Sequence, residues 1–328
     1  MKNMQMIVPV IFSLLIPAST FAVDGVIEIN HTCAVHQGCF SGDTAGYPVL
    51  IDGVAGKSYK LTSDLIVPDE FTTGIEMGFG GTFSDPAAVG ITIDLNGFEI
   101  IRAACVGYAV ACIPESGGLT SGYGINAPSS TNIAVTVRNG SITGMGNHGV
   151  FLNGVQSEVN NVKTRWNRKD GIYLTSGGTV RNSISYENGD DGVSISYGGR
   201  IIDSLSHGNG DDGVTTLIGS SVINCSLYSN GDDGINAGSG SSVFGNTVYN
   251  NNGDGIQASD ASRIQQNTVY RNDGYGLNFE GKTAAYKDNV VTTNLQTPTG
   301  LTVVGGISFG VNVCDGDIAC PPYVVPVR

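Results

Sequence analysis

Between residues 159 and 279 apolar side chains return at a fixed step of 21 positions, and the polar residues between them keep the same step. Val159, Val180, Ile201, Val222, Val243 and Ile264 form one aliphatic column; Ile172, Val193, Val214, Ile235, Ile256 and Leu277 form another. Two positions further on stand Leu174, Ile195, Thr216, Ala237, Ala258 and Phe279, the spacing of alternate positions on a strand. A helix would need apolar residues at i, i+3, i+4 and i+7, and a leucine-rich repeat several leucines per unit; neither pattern is present. Each unit therefore predicts short β-branched strands separated by turns of Gly, Asn and Asp.

The turns repeat as strictly as the strands. Asn-Gly-Asp-Asp-Gly occupies 188–192, 209–213 and 230–234, and Gly171, Gly192, Gly213, Gly234, Gly255 and Gly276 stand 21 apart. Asn167, Asn188, Asn209, Asn230, Asn251 and Asn272 fill one column in all six units. Stacked units of this length form a solenoid, and three short strands per unit predict an all-β, right-handed parallel β-helix with three parallel sheets. With neighbouring strands roughly 4.8 Å apart, the column amides can bond to one another along the axis and satisfy turn backbone.

The pattern Asn-Thr-Val-Tyr-x-Asn-x-x-Gly-Ile/Leu, from Asn246 to Ile256 and from Asn267 to Leu277, resembles the right-handed parallel β-helix repeat proteins of the pectate-lyase-like superfamily. That group includes pectate lyases, polygalacturonases, alginate epimerases and phage tailspikes, so the resemblance implies a fold more than a reaction. The Asp-Pro-His-Asp motif of the epimerases is absent, since Asp85-Pro86 continues into Ala87-Ala88. The acidic columns supply carboxylates without a recognisable hydrolase motif around them.

Outside the clean repeat the expected organisation is a signal peptide at 1–22, a cap at 23–60, the β-helix from 61 to 310 and a closing segment at 311–328. Lys2, the apolar run Met6–Ile16 and Thr20-Phe21-Ala22 read as a secretory signal cleaved near Ala22. The run is too short to span a bilayer, and release outside the cytoplasm, extracellular or periplasmic, is expected. Seven cysteines agree with an oxidising compartment. Three local pairs suggest themselves: Cys33 with Cys39, Cys105 with Cys112 and Cys314 with Cys320. Cys225 is left over, in a column with Ser183 and Ser204, as a buried small side chain. Residues 102–130 read as a loop excursion from the coil. A net charge of −13 argues against nucleic acid as partner.

Three features could carry chemistry. Asp170, Asp191, Asp212, Asp233 and Asp254 stack in one column, and Asp190, Asp211 and Asp232 in the next. Carboxylates one coil apart repel by about 0.9 kcal/mol in water and about 3.5 at an effective dielectric of 20. A Ca²⁺ ion held by Asp190/Asp191, Asp211/Asp212 and Asp232/Asp233 would relieve that repulsion; Asp-Gly turn chemistry screened by solvent would give the same column without a metal. The second feature is the column Arg165, Tyr186, His207, Tyr228, Tyr249, Tyr270, expected to point outward. Together with Trp166 it could offer a linear sugar chain an aromatic platform, or merely stabilise the coils. The third is the basic cluster Lys163, Arg165, Trp166, Arg168 and Lys169 beside Asp170, with His148 one coil earlier. It could supply a base next to a carboxylate, as lyases of the resembled group do, or balance the end of the acidic column.

These readings leave two functions open: a secreted protein that binds an extracellular polysaccharide, or a polysaccharide-active enzyme (lyase, glycoside hydrolase or epimerase).

Overall fold

The computed structural model describes residues 25–52, 57–78, 90–107, 112, 121–128, 133–294, 302–315 and 320. The expected signal peptide, much of the 102–130 excursion and most of the closing segment lie outside these residues. Every strand pairing is parallel, and the sheets run the length of the solenoid. Among the described residues no helix is long and apolar enough to cross a membrane.

Each coil contributes three strands. The first ladder is an 11-stranded sheet that includes Ile172–Ser176, Val193–Tyr197 and Val214–Ile218. The second (Thr179–Arg181, Arg200–Ile202, Ser221–Ile223) and third (Ile184–Tyr186, Leu205–His207, Ser226–Tyr228) together form one 21-stranded sheet. They count as one because Val135–Thr143 and Glu158–Arg165 run through the corner between them without a break. At that corner one residue per coil is left-handed, as at Asn139 (φ 61°), Asn161 (φ 56°), Asn182 (φ 50°) and Asp203 (φ 50°). Asn and Asp tolerate this region better than other side chains with a Cβ, which bends the chain while pairing continues on both sides.

The expected aliphatic columns are the core. Val159, Val180, Ile201, Val222, Val243 and Ile264 are fully buried, and Ile172 through Leu277 fill the facing wall. Parallel pairing starts earlier than the clean period shows: Val26–Ile29 pairs with Ser58–Leu61, and Val49–Asp52 with Ile75–Gly78. The cap region thus contributes ladder strands as well as the short helix His31–His36, which Asn30 caps through its side chain. Residues 23–60 lack the 21-residue period because this helix is inserted within their coil. At the other end Val313–Cys314 still pairs with Val290–Val291. The three expected disulfides, Cys33–Cys39, Cys105–Cys112 and Cys314–Cys320, are formed, and Cys225 is free and buried.

Candidate binding surface

The turn from the third ladder to the first carries most of the polar repeat. Its anchor is the Asn column, which is buried throughout. From Asn188 to Asn294 each Oδ1 accepts both the backbone N–H and the side-chain amide of the preceding column member, at 2.9–3.2 Å. The ladder begins one step earlier than expected, where Met145 N–H donates to Asn167 Oδ1 at 3.0 Å. Four residues after each Asn the chain passes close to the next coil. A Cβ on Gly192, Gly213, Gly234 or Gly255 would lie 2.7, 2.6, 2.7 or 2.7 Å from the next glycine's carbonyl oxygen, so only glycine fits.

Between Asn and Gly stand the two Asp columns, and their environments differ. The inner column is a structural ladder: Asp170, Asp191, Asp212 and Asp233 each accept, through Oδ1, the backbone N–H of the next inner Asp, at 3.2, 3.1, 2.9 and 2.6 Å. Asp254 accepts Tyr275 N–H in the same way. The second oxygens turn toward the first ladder, where Asp212 Oδ2 accepts from Thr215 Oγ1 at 2.9 Å and Asp254 Oδ2 from Asn278 Nδ2 at 2.6 Å. Burial raises their proton affinity above all, with neighbouring aspartates adding to it. Asp170 is pushed up to about 8, Asp191 to about 7, Asp212 to about 6 and Asp233 to about 8. Backbone N–H donors thus supply part of the compensation for the repulsion along this column. The outer column, Asp190, Asp211 and Asp232, lies nearer the surface. Carboxylate oxygens of Asp190, Asp191 and Asp211 lie within 4.8 Å of one another, as do those of Asp211, Asp212 and Asp232.

At the N-terminal head of the inner column the structure assembles a group that the linear text hides. His148 Nδ1 is 3.4 Å from Asp170 Oδ2, and the pair is largely buried. Burial, followed by Lys169, lowers His148 to about 4, while burial and then Asp191 and Asp190 raise Asp170. Both shifts favour neutral forms, which leaves the proton on Asp170. The His148 ring packs against Tyr123, Phe151 and Tyr173 with centroids 5.9, 5.7 and 5.2 Å away. Phe151 and Tyr173 stack at 5.4 Å as neighbours in the outward row of the first ladder. That row runs in register Glu76, Asn126, Phe151, Tyr173 and then Ser194, Thr215, Asn236, Gln257 and Asn278. Asn126 donates its amide to Glu76 Oε2 at 3.2 Å, while its Oδ1 is buried with no hydrogen-bond partner. Reading the column one position beyond the aliphatic one would have found Tyr173. Tyr123 and Asn126 follow an insertion that breaks the period, so no column pointed to them.

The third ladder carries the expected outward rings. Tyr186, His207, Tyr228, Tyr249 and Tyr270 stack face to face, with centroids 5.1, 4.7, 4.9 and 5.0 Å apart and interplanar angles of 15°, 2°, 16° and 3°. Inner rings cover one another's faces and present edges and hydroxyls outward. The basic cluster divides. Lys163 and Arg165 sit at the end of this ladder, where Arg165 lies 4.6 Å over the Trp166 ring, 3.5 Å from Glu99 and 3.4 Å from the Tyr186 hydroxyl. Trp166 packs on Ile101 and the Cys105–Cys112 disulfide and donates Nε1–H to Glu187 at 2.5 Å. Arg168 and Lys169 lie beyond the corner, where their backbone N–H groups bond to Met145 and Asn147 carbonyls. Of the candidate catalytic residues, His148, Lys169 and Asp170 come together.

Residues 148–295 match the family model described as a right handed beta helix region. The chain folds as a right-handed parallel β-helix. Among solved structures this β-helix is similar to the A-module of the Azotobacter vinelandii mannuronan C-5 epimerase AlgE4, at 13% identity over 89% of this chain and 85% of that one (TM-score 0.50). It is also similar to the pectate lyase Pel9A, at 14% identity over 88% and 80% of the two chains (TM-score 0.50). At such identities the likeness establishes the pectate-lyase-like fold. None of the curated proteins matches the sequence.

Proposed function

We propose that this β-helix is a secreted protein that binds an extracellular polysaccharide along the first ladder and its acidic edge. The observation that carries the reading is the straight outward row Ser194, Thr215, Asn236, Gln257 and Asn278, one hydrogen-bonding side chain per coil in register. A polymer with hydroxyls at regular intervals matches a row of regular polar groups, whereas a compact ligand requires a concave pocket. Phe151 and Tyr173 extend the row with apolar rings on which a sugar can pack. The ring stack from Tyr186 to Tyr270, with Trp166 at its end, offers a second contact through edges and hydroxyls. The similar solved structures, named as an epimerase of mannuronan and a pectate lyase, support a polysaccharide as ligand class. Ca²⁺ is the candidate cofactor, at Asp190/Asp191/Asp211 and Asp211/Asp212/Asp232, where carboxylate oxygens cluster at a cation's reach.

A second reading, a polysaccharide-active enzyme, is favoured by one arrangement. Asp170 holds a proton beside His148, with Tyr123 and Tyr173 on the same wall and Lys169 alongside. A perturbed acid among aromatic side chains is a common mark of acid–base chemistry.

One panel separates the two readings. The purified chain is incubated with neutral polysaccharides and polyuronates, and binding, reducing ends and unsaturated products are measured together. Binding with unchanged chain length supports the binding protein. Product release that disappears in Asp170→Asn supports the enzyme, and neither binding nor products would overturn both.

A further inference from the structure

We infer that the polymer taken by the first-ladder face is an uncharged, hydroxyl-rich glycan and not a polyuronate, an inference that rests on the polysaccharide reading above. Two independent features point to it. The first is the charge of the surface beyond its head. The acidic turns and first-ladder strands of four successive coils, residues 187–198, 208–219, 229–240 and 250–261, contain no Lys or Arg, while each segment carries acidic residues; in the fifth coil Arg271 and Lys282 bound the corresponding segment. A polyuronate laid along the row would bring a carboxylate against this edge at every sugar, and like charges brought together across an interface are how wrong partners are rejected. Lys169 lies at the head, where its charge acts on Asp170 and His148.

The second feature is Asn126. It is 7% exposed, its amide is committed to Glu76, and its Oδ1 lacks a donor. A buried acceptor left in this state is costly, and a sugar hydroxyl would satisfy it; this feature asks for a hydroxyl-rich ligand, while the choice against a polyuronate rests on the charge of the edge. The neighbouring side chain in the row is Phe151, followed by Tyr173, whose hydroxyl reaches Ser196 Oγ at 3.1 Å. Among the described residues no further ring stacks on Tyr173, because Ser194 follows it in the row. Ring carbons of a sugar over Tyr173 with a hydroxyl toward Asn126 would use both groups at once. Further along, the oxygens of Asp212 and Asp254 that face the row, the Ser and Thr hydroxyls and the Asn and Gln amides offer hydrogen bonds without a positive charge.

The test is affinity electrophoresis of the full chain at pH 8 in chelator, through gels containing hydroxyethylcellulose, galactomannan, polygalacturonate or alginate. Retardation by a neutral polymer, with none by either polyuronate, is the expected result. Asn126→Ala should weaken neutral binding by about 3- to 10-fold, the loss of one ordinary hydrogen bond, with an unchanged melting curve as fold control. Thr215→Lys should bring polyuronate retardation where there was none. Polyuronate binding equal to or stronger than neutral binding in chelator would overturn the inference and leave the polysaccharide reading standing. Polyuronate binding that appears only with added Ca²⁺, with no neutral binding, would also overturn it, in favour of a cation bridge. Binding to none of the four polymers would overturn both.

Discussion

Asn209→Ala tests the amide ladder at its middle. The side chain is 2% exposed and takes part in five hydrogen bonds. Oδ1 accepts Asn188 N–H at 3.1 Å and Asn188 Nδ2 at 3.0 Å; Nδ2 donates to Ser206 Oγ at 2.9 Å, Asn230 Oδ1 at 3.0 Å and Ser185 O at 3.4 Å. After truncation several partners retain bonds. Asn188 Nδ2 keeps Ser185 Oγ, Asn230 Oδ1 keeps Asn209 N–H, and Ser206 Oγ keeps Gly213 O. Asn188 N–H keeps none and is left in a buried turn, at a cost of about 1–3 kcal/mol. The two lost amide–amide bonds add about 1 kcal/mol each, for a total of about 3–5 kcal/mol. At roughly 2 °C per kcal/mol for a chain of this length, Tm should fall by about 6 to 10 °C. The assay is thermal unfolding followed by circular dichroism, paired with hydrogen exchange at the Asn188 amide, which should lose protection before its neighbours. Asn252→Ala, at an exposed position of the adjacent turn, is the control and should move Tm by less than about 1 °C. An Asn209→Ala variant that melts with wild type, or whose Asn188 amide keeps its protection, would refute the view that the amides hold the coils together.

The inner acids should make the wild type less stable as pH rises. An unfolded Asp titrates near 3.9, and burial pushes Asp212 up to about 6 in the folded chain. The folded chain therefore binds more protons, and the contribution of Asp212 is fully present below about pH 4 and lost as pH passes through about 6. Asp212→Asn keeps an acceptor for Asp233 N–H and removes the charge, so in chelator its stability advantage should grow from pH 4 to pH 8, by up to about 3 kcal/mol. A constant difference across that range would contradict the assignment. Cys225, whose thiol burial pushes up to about 12, should resist thiol reagents in the native protein and react one-to-one in denaturant. Cys225→Ser should change stability by no more than about 1 kcal/mol, since Ser183 and Ser204 already fill that column; rapid native labelling would show the core open there.

In a solenoid, most contacts are made between a residue and its equivalent one coil away, so a fixed sequence step is also a spatial distance. The 21-residue period therefore determined the columns from the sequence alone: aliphatic wall, amide ladder and stacked rings; the cysteine pairs were legible separately, from their closeness in the chain. What it could not determine was direction and environment at the turns. Both Asp columns read alike, yet only the tertiary structure turns one inward to accept backbone N–H groups and leaves the other near solvent. Likewise, five of the seven residues from Lys163 to Lys169 read as one basic cluster, but a corner lies between them. Trp166 goes to the disulfide and Lys169 to His148 and Asp170. The head of the surface was least legible, because the excursion before Gly122 breaks the period. Glu76 and Asn126 are paired across 50 residues, and only the closing of the coils brings those two to Phe151 and Tyr173.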